Sequence, residues 1–311
     1  MNTRNWYKKA GDTTVEITRD QFLAMNTEKK IYLAENSSIS QDTQLLFFAE
    51  RYEFKGTVLR ALAGNTSILP EVQRLFFTEE YKGDGEALWD LAGNTSITLE
   101  AQRLFFTEEY NGRHTILTQL AENQSINQAI QPLFFAEKYN DKDYTTNPLW
   151  DLAGNPSITP ETQRLFFTES YHGKGDVLCW LARNPSITKE VQLLFFTDPY
   201  EWKDWVLLYL ARNPNIHPEA QQLFFTEQYE GKSSILRRLA QNANITPATQ
   251  FLFFTQEYRW KVEVLDNLVG NKSFLKGNFN LEQLLLIRNA ARGAMRLRVL
   301  SKRLEQIQEA Q

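Results

Sequence analysis

One phrase recurs along the chain at a nearly constant interval, and it limits the possible folds more than any other feature. Residues 152–171 read LAGNPSITPETQRLFFTESY, and close copies begin at Leu62, Leu181 and Leu210. The asparagine of the phrase returns at Asn36, Asn65, Asn94, Asn123, Asn155, Asn184, Asn213, Asn242 and Asn271, every 29 residues apart from one interval of 32. A Phe-Phe pair keeps step from Phe47 to Phe253, with a tyrosine four residues after each pair. A unit this short cannot bury its own phenylalanines, so units must stack and bury them against one another.

Each unit predicts two short helices. Thr159 is placed to cap a helix, Pro160 suits its first position and Glu161 its positive end, so a first helix is expected over Pro160–Thr168. Its apolar residues Leu165, Phe166 and Phe167 are adjacent and fan across a wide arc, which requires cover on more than one side. After Tyr171 and a turn, DVLCWLAR places Val177, Leu178, Leu181 and Ala182 at helical spacing, a second helix. Asn184 then stops it; asparagine tolerates the left-handed conformation of many helix ends, and Pro156, Pro185 and Pro214 disfavour helix at the residue before them. A column of buried asparagines tying neighbouring turns together is the expected role.

The expected fold is all-α: a right-handed α-solenoid of about eight 29-residue two-helix repeats with an N-terminal cap and a long C-terminal helix. Residues 1–35 read as an N-terminal segment and partial capping repeat, in which Phe22-Leu23 replaces the paired phenylalanines. Residues 36–276 carry the repeats, and 277–311 read as an amphipathic basic helix. That helix is expected to close the stack, to dock a partner, or to pair with a second copy of the chain through Leu297, Leu300, Leu304 and Ile307.

The phrases LARNPSIT from Leu181 and LAGNPSIT from Leu152 resemble the variant leucine-rich repeat, a bacterial α-solenoid related in style to HEAT-like repeats. The resemblance spans Leu33 to about Asn271 and implies the architecture alone. That family's units are shorter, and its pattern lacks the Phe-Phe-Thr-Glu-x-Tyr half. Its founding example is associated with an iron–sulfur cluster, and this chain has a single cysteine, Cys179.

Chemistry is hard to place on this sequence. The lone cysteine excludes an internal disulfide framework and a cysteine-built metal cage. His114, His172 and His217 stand in turns or at cap positions, none with a second ligand at helical metal spacing. The expectation is a protein that is not an enzyme, with no cofactor and no metal. No apolar run is long enough for a signal peptide or a membrane-spanning helix, so no membrane insertion and a cytoplasmic location are expected. The tail from Gly277 holds six Arg or Lys against three Glu, or +3; with −4 for the chain, residues 1–276 carry −7. Such a body shows no basic stripe for phosphates.

Positions that differ between units while their surroundings repeat are free to serve something outside. In the second helix these are Arg60-Ala61, Trp89-Asp90, Thr118-Gln119, Trp150-Asp151, Cys179-Trp180, Leu208-Tyr209, Arg237-Arg238 and Asp266-Asn267. A row rich in Trp, Tyr and Arg has the composition of an interface. The expected function is a scaffold or adaptor binding a protein or peptide through Arg60, Trp89, Asp90, Trp150, Asp151, Trp180, Tyr209, Arg237 and Arg238. The alternative is a HEAT-like nucleic-acid binder using Arg237, Arg238 and the tail residues Arg288, Arg292, Arg296, Arg298, Lys302 and Arg303. Trp202, Trp205 and Trp260, at turns where other units carry glycine, are expected to shield the ends of the stack.

Overall fold

The computed structural model describes residues 14–110, 112–136, 147–226, 231–258, 260–271, and residues 274, 283, 286 and 287. The helices follow one another without a strand among the described residues: α1 (Arg19–Leu23), α2 (Thr27–Ala34), α3 (Gln41–Ala49), α4 (Lys55–Ala63), α5 (Pro70–Leu75), α6 (Gly85–Gly93), α7 (Leu99–Thr107), α8 (Arg113–Glu122), a 3₁₀ helix (Gln131–Phe135) and α9 (Pro148–Gly154). They continue as α10 (Pro160–Thr168), α11 (Lys174–Arg183), α12 (Lys189–Thr197), α13 (Lys203–Leu210), α14 (Pro218–Thr226), α15 (Lys232–Gln241), α16 (Pro247–Thr255) and α17 (Lys261–Val269). After the α1/α2 pair these form eight two-helix repeats, an α-solenoid. The chain divides into two compact units, Met1–Ser157 and Ile158–Gln311.

Local chemistry explains where the helices begin and end. Thr159, Thr188 and Thr246 each accept a hydrogen bond from the backbone N–H three residues on, and proline follows directly at Pro160 and Pro247. The fourth repeat departs because Pro132 occupies the position of Arg164. Without an N–H and with its ring set against the preceding turn, it leaves only the 3₁₀ helix Gln131–Phe135. Lysine or arginine at the start of most second helices reaches back to the open carbonyls of the first: Lys55 Nζ donates to Phe48 O at 2.6 Å and Lys232 Nζ to Phe225 O at 2.7 Å. A cation there also suits the negative helix end.

The phenylalanines interlock edge to face across repeats. The second ring of one pair meets the first ring of the next: Phe77 with Phe105 at 4.8 Å in the N-terminal unit, Phe196 with Phe224 at 4.9 Å in the C-terminal one. The first Phe of every described pair is buried. The α1/α2 pair takes part through Phe22, which is fully buried with its ring 5.0 Å from Phe47. Tyr52, Tyr110, Tyr171, Tyr200 and Tyr258 each close their own first helix; Tyr171 Oη donates to Phe166 O at 2.7 Å, and burial pushes its hydroxyl well above the usual tyrosine range.

Two columns of side-chain amides tie one repeat to the next. Asn213 Nδ2 donates to Ala182 O at 2.9 Å and Asn184 O at 2.8 Å, while its Oδ1 accepts from the Asn215 N–H at 2.8 Å. The asparagines do not adopt the left-handed state expected of them: Asn184 lies at φ −63°, ψ 120°, extended as the following proline favours. The left-handed residues instead open the second helices, at Gly112, Gly173 and Gly231 and, without glycine, at Phe54, Trp202 and Trp260. The second column is glutamine. Gln192 Nε2 donates to Ile187 O at 3.3 Å and Asn215 O at 3.0 Å, and its Oε1 accepts from the His217 N–H at 2.6 Å.

Candidate partner-binding face

The second helices lie closer to one another than the first helices do, so within each unit they form one continuous face. On α11, Val177, Leu178, Leu181 and Ala182 are buried in the stack while Trp180 is 44% exposed. The same arithmetic of 3.6 residues per turn sets the variable row away from the most deeply buried stripe of every second helix. The row is not uniformly open. Trp89 and Trp180 are exposed, Cys179 is buried, and the remaining members are half-buried between neighbouring helices.

In the N-terminal unit the face is laced with carboxylates. Arg60 of α4 reaches over α6, its Nε donating to Asp90 Oδ2 at 2.9 Å and its Nη1 to Glu86 Oε2 at 2.7 Å. These pairs hold the guanidinium further into its charged form. Beside them an open groove of about 300 Å³ is lined by Arg60, Glu86, Trp89, Thr115 and Ile116. Further along, burial and the nearby Glu122 push the Asp151 carboxyl up to about 6. The Trp150 indole N–H is enclosed with no acceptor among the described residues.

In the C-terminal unit the face is laced with arginines. The Arg183 guanidinium lies 3.7 Å from the centroid of the Tyr209 ring and 4.8 Å from that of Trp180, joining α11 to α13. Arg238 Nη1 donates to Gln241 Oε1 at 3.1 Å, and Gln241 Nε2 in turn donates to Asn267 Oδ1 at 2.6 Å. Arg237 Nε and Asp266 Oδ1 are enclosed without a hydrogen-bond partner among the described residues. None of Arg183, Arg212, Arg237 and Arg238 has a carboxylate at ion-pair distance among the described residues.

The tryptophans expected to shield the stack do not. Trp202, Trp205 and Trp260 are 59%, 58% and 53% exposed. Trp205 lies inside α13 rather than in a turn, whereas Trp202 and Trp260 hold left-handed backbone at φ 63° and 60°. The backbone at Trp202 comes close to α11, since a Cβ added to Gly175 would lie 2.9 Å from Glu201 O.

Burial, then the nearby Asp176, pushes the Cys179 thiol up to about 11, so it is protonated at neutral pH and a poor nucleophile. Among the described residues no three His, Cys, Asp or Glu side chains converge as a metal site, and no helix is long and apolar enough to cross a membrane. Leu297, Leu300, Leu304 and Ile307 and the tail cations from Arg288 to Arg303 lie outside the described residues. Between α17 and Arg288, Ile287 is fully buried and Gln283 lines a pocket with residues of α14 and α16. The glutamine column escaped the sequence reading, although Gln44, Gln73, Gln102, Gln131, Gln163, Gln192, Gln221 and Gln250 stand three residues before each Phe-Phe pair.

The fold and this face define a helical-repeat protein. Comparison with protein-family models, curated proteins and solved structures finds no match.

Proposed function

We propose that the chain is a non-enzymatic scaffold that binds a protein or peptide partner along its second-helix face. The carrying observation is a division of labour: repeated letters (Asn, Gln, Phe-Phe) face inward, while among the second-helix positions that differ Trp89 and Trp180 stand exposed and all the others but buried Cys179 are half-buried. A surface free of stacking duties is where a repeat protein places recognition, and tryptophan and arginine supply most interface energy. The likeness to variant leucine-rich and HEAT-like repeats, a cytoplasmic location and dimerisation through Leu297, Leu300, Leu304 and Ile307 belong to this reading as proposals.

The test is Trp89→Ala combined with Trp180→Ala. Both side chains are over two-fifths exposed, so the unfolding midpoint is expected to stay within about 3 °C of wild type. A partner identified by affinity purification with mass spectrometry on the wild type should be lost from the double variant. Equal recovery of that partner places the binding elsewhere. Nucleic-acid binding is the second reading, supported by the arginines without carboxylate partners. It requires a mobility shift at low salt that fades steeply as salt rises.

A further inference from the structure

We infer that the second-helix face of the C-terminal unit takes an acidic peptide segment carrying apolar side chains among its carboxylates; this deepens the scaffold reading and rests on it. Six residues make the surface: Trp180 and Arg183 of α11, Trp205 and Tyr209 of α13, Arg212 in the turn that follows α13, and Arg238 of α15. Trp205 and Tyr209 are four residues apart, which sets them on one stripe of α13, and the exposed Arg212 follows in the turn after that helix. Arg183, stacked on the Trp180 and Tyr209 rings, joins that stripe to α11.

Charge identifies the occupant. On the second-helix face of the N-terminal unit Arg60 lies within 4 Å of Asp90 and Glu86, whereas Arg183, Arg212 and Arg238 on this face have no carboxylate at that distance among the described residues. Arg183 and Arg212 are exposed, so their guanidinium donors are open to a carboxylate arriving in the fork geometry they favour. Trp180 and Trp205, 44% and 58% exposed, offer apolar area beside those cations. A peptide with alternating acidic and apolar side chains matches both features.

A continuous phosphate backbone matches less well. Asp176, one turn before Trp180, and Asp266 of α17 belong to the same second helices and would repel an unbroken run of phosphates, whereas a peptide can set an apolar side chain opposite each of them. The Tyr209 ring, already covered by Arg183, is not free to stack on a base.

The experiment selects from a library of random short peptides with the full chain. The expected pool is rich in Asp and Glu next to Trp, Phe or Leu. The affinity of a selected peptide should fall about 100-fold in Arg183→Glu/Arg212→Glu, with each charge-assisted contact worth about tenfold, and should weaken as salt rises in the wild type. The single variant Arg238→Glu is measured alongside, so that misfolding of the double variant leaves the test intact. A neutral or basic pool, or an acidic peptide indifferent to both variants, overturns the inference while leaving peptide binding in place. Failure to retain any peptide overturns the scaffold reading as well. Oligothymidylate binding as tight as the selected peptide, with the same arginine dependence, hands the face to nucleic acid.

Discussion

The two units carry the same interior beneath opposite surfaces. In the N-terminal unit Arg60 is held by Asp90 and Glu86, and burial, with Glu122 nearby, pushes Asp151 toward its neutral form. In the C-terminal unit Arg183, Arg212, Arg237 and Arg238 occupy the corresponding face with no carboxylate at ion-pair distance among the described residues. Asparagine, glutamine and phenylalanine meanwhile hold the same places in both. The difference teaches that stacking and surface chemistry are separable here: the letters that set the fold make no demand on those that set the surface charge.

The sharpest way to break the comparison is to attack the shared interior in each unit. Phe105 and Phe195 are fully buried, and each meets the ring of the preceding repeat edge to face, from Phe77 at 4.8 Å and from Phe167 at 5.0 Å. Phe105→Ala and Phe195→Ala should each cost about 3–5 kcal/mol, transfer and cavity together. Chemical denaturation monitored by circular dichroism reads both. Costs that differ by more than about 2 kcal/mol would show that the interiors are not equivalent.

How far the sequence shows this division depends on the range of each interaction. Helix starts such as Thr159-Pro160 were legible because a cap is settled within four residues. The asparagine column was legible as a tie, but its backbone state was misjudged: at Asn242 the side chain's carbonyl closes a local turn on Asn244 and its amide serves the preceding repeat at Ala211 O and Asn213 O, so extended backbone suffices. Glutamine at Gln192 was missed because a polar residue within a helix ordinarily faces water. Only stacking reveals three partners waiting for it. On the row itself, one step along α11 separates buried Cys179 from exposed Trp180, finer than periodicity resolves.

The acidic face can be sharpened by titration. The Asp151 carboxyl stands at about 6 in the folded chain, above its ordinary value of 3.8, because burial and Glu122 disfavour the charge. The folded state therefore binds more protons than the unfolded state between those values, so stability contributed by the neutral carboxyl is full below about pH 4 and lost as pH rises through 6. Asp151→Asn should remove this slope and raise stability at pH 7 by about 1 kcal/mol, discounted for a half-exposed group. A slope that survives the substitution would assign it to another group.

The smallest expected effect concerns the tryptophans at left-handed positions. Gly173 and Gly231 open α11 and α15 at φ 69° and 65°, where glycine meets no Cβ penalty. Trp202 opens α13 at φ 63° and still leaves 59% of itself in solvent. Left-handed backbone costs a residue with a Cβ about 1–2 kcal/mol, and glycine's greater freedom in the unfolded chain returns part of that difference. Trp202→Gly should therefore stabilise the chain by about 0.5 kcal/mol, read as a small upward shift in the denaturation midpoint. A loss of more than about 1 kcal/mol would mean that the contact between Trp202 and the α11 backbone at Gly175 holds the two repeats together. A gain would mark this tryptophan as a residue kept at some cost to stability, as surface-facing recognition groups are, and would set it with the arginine face of its unit rather than with the stack.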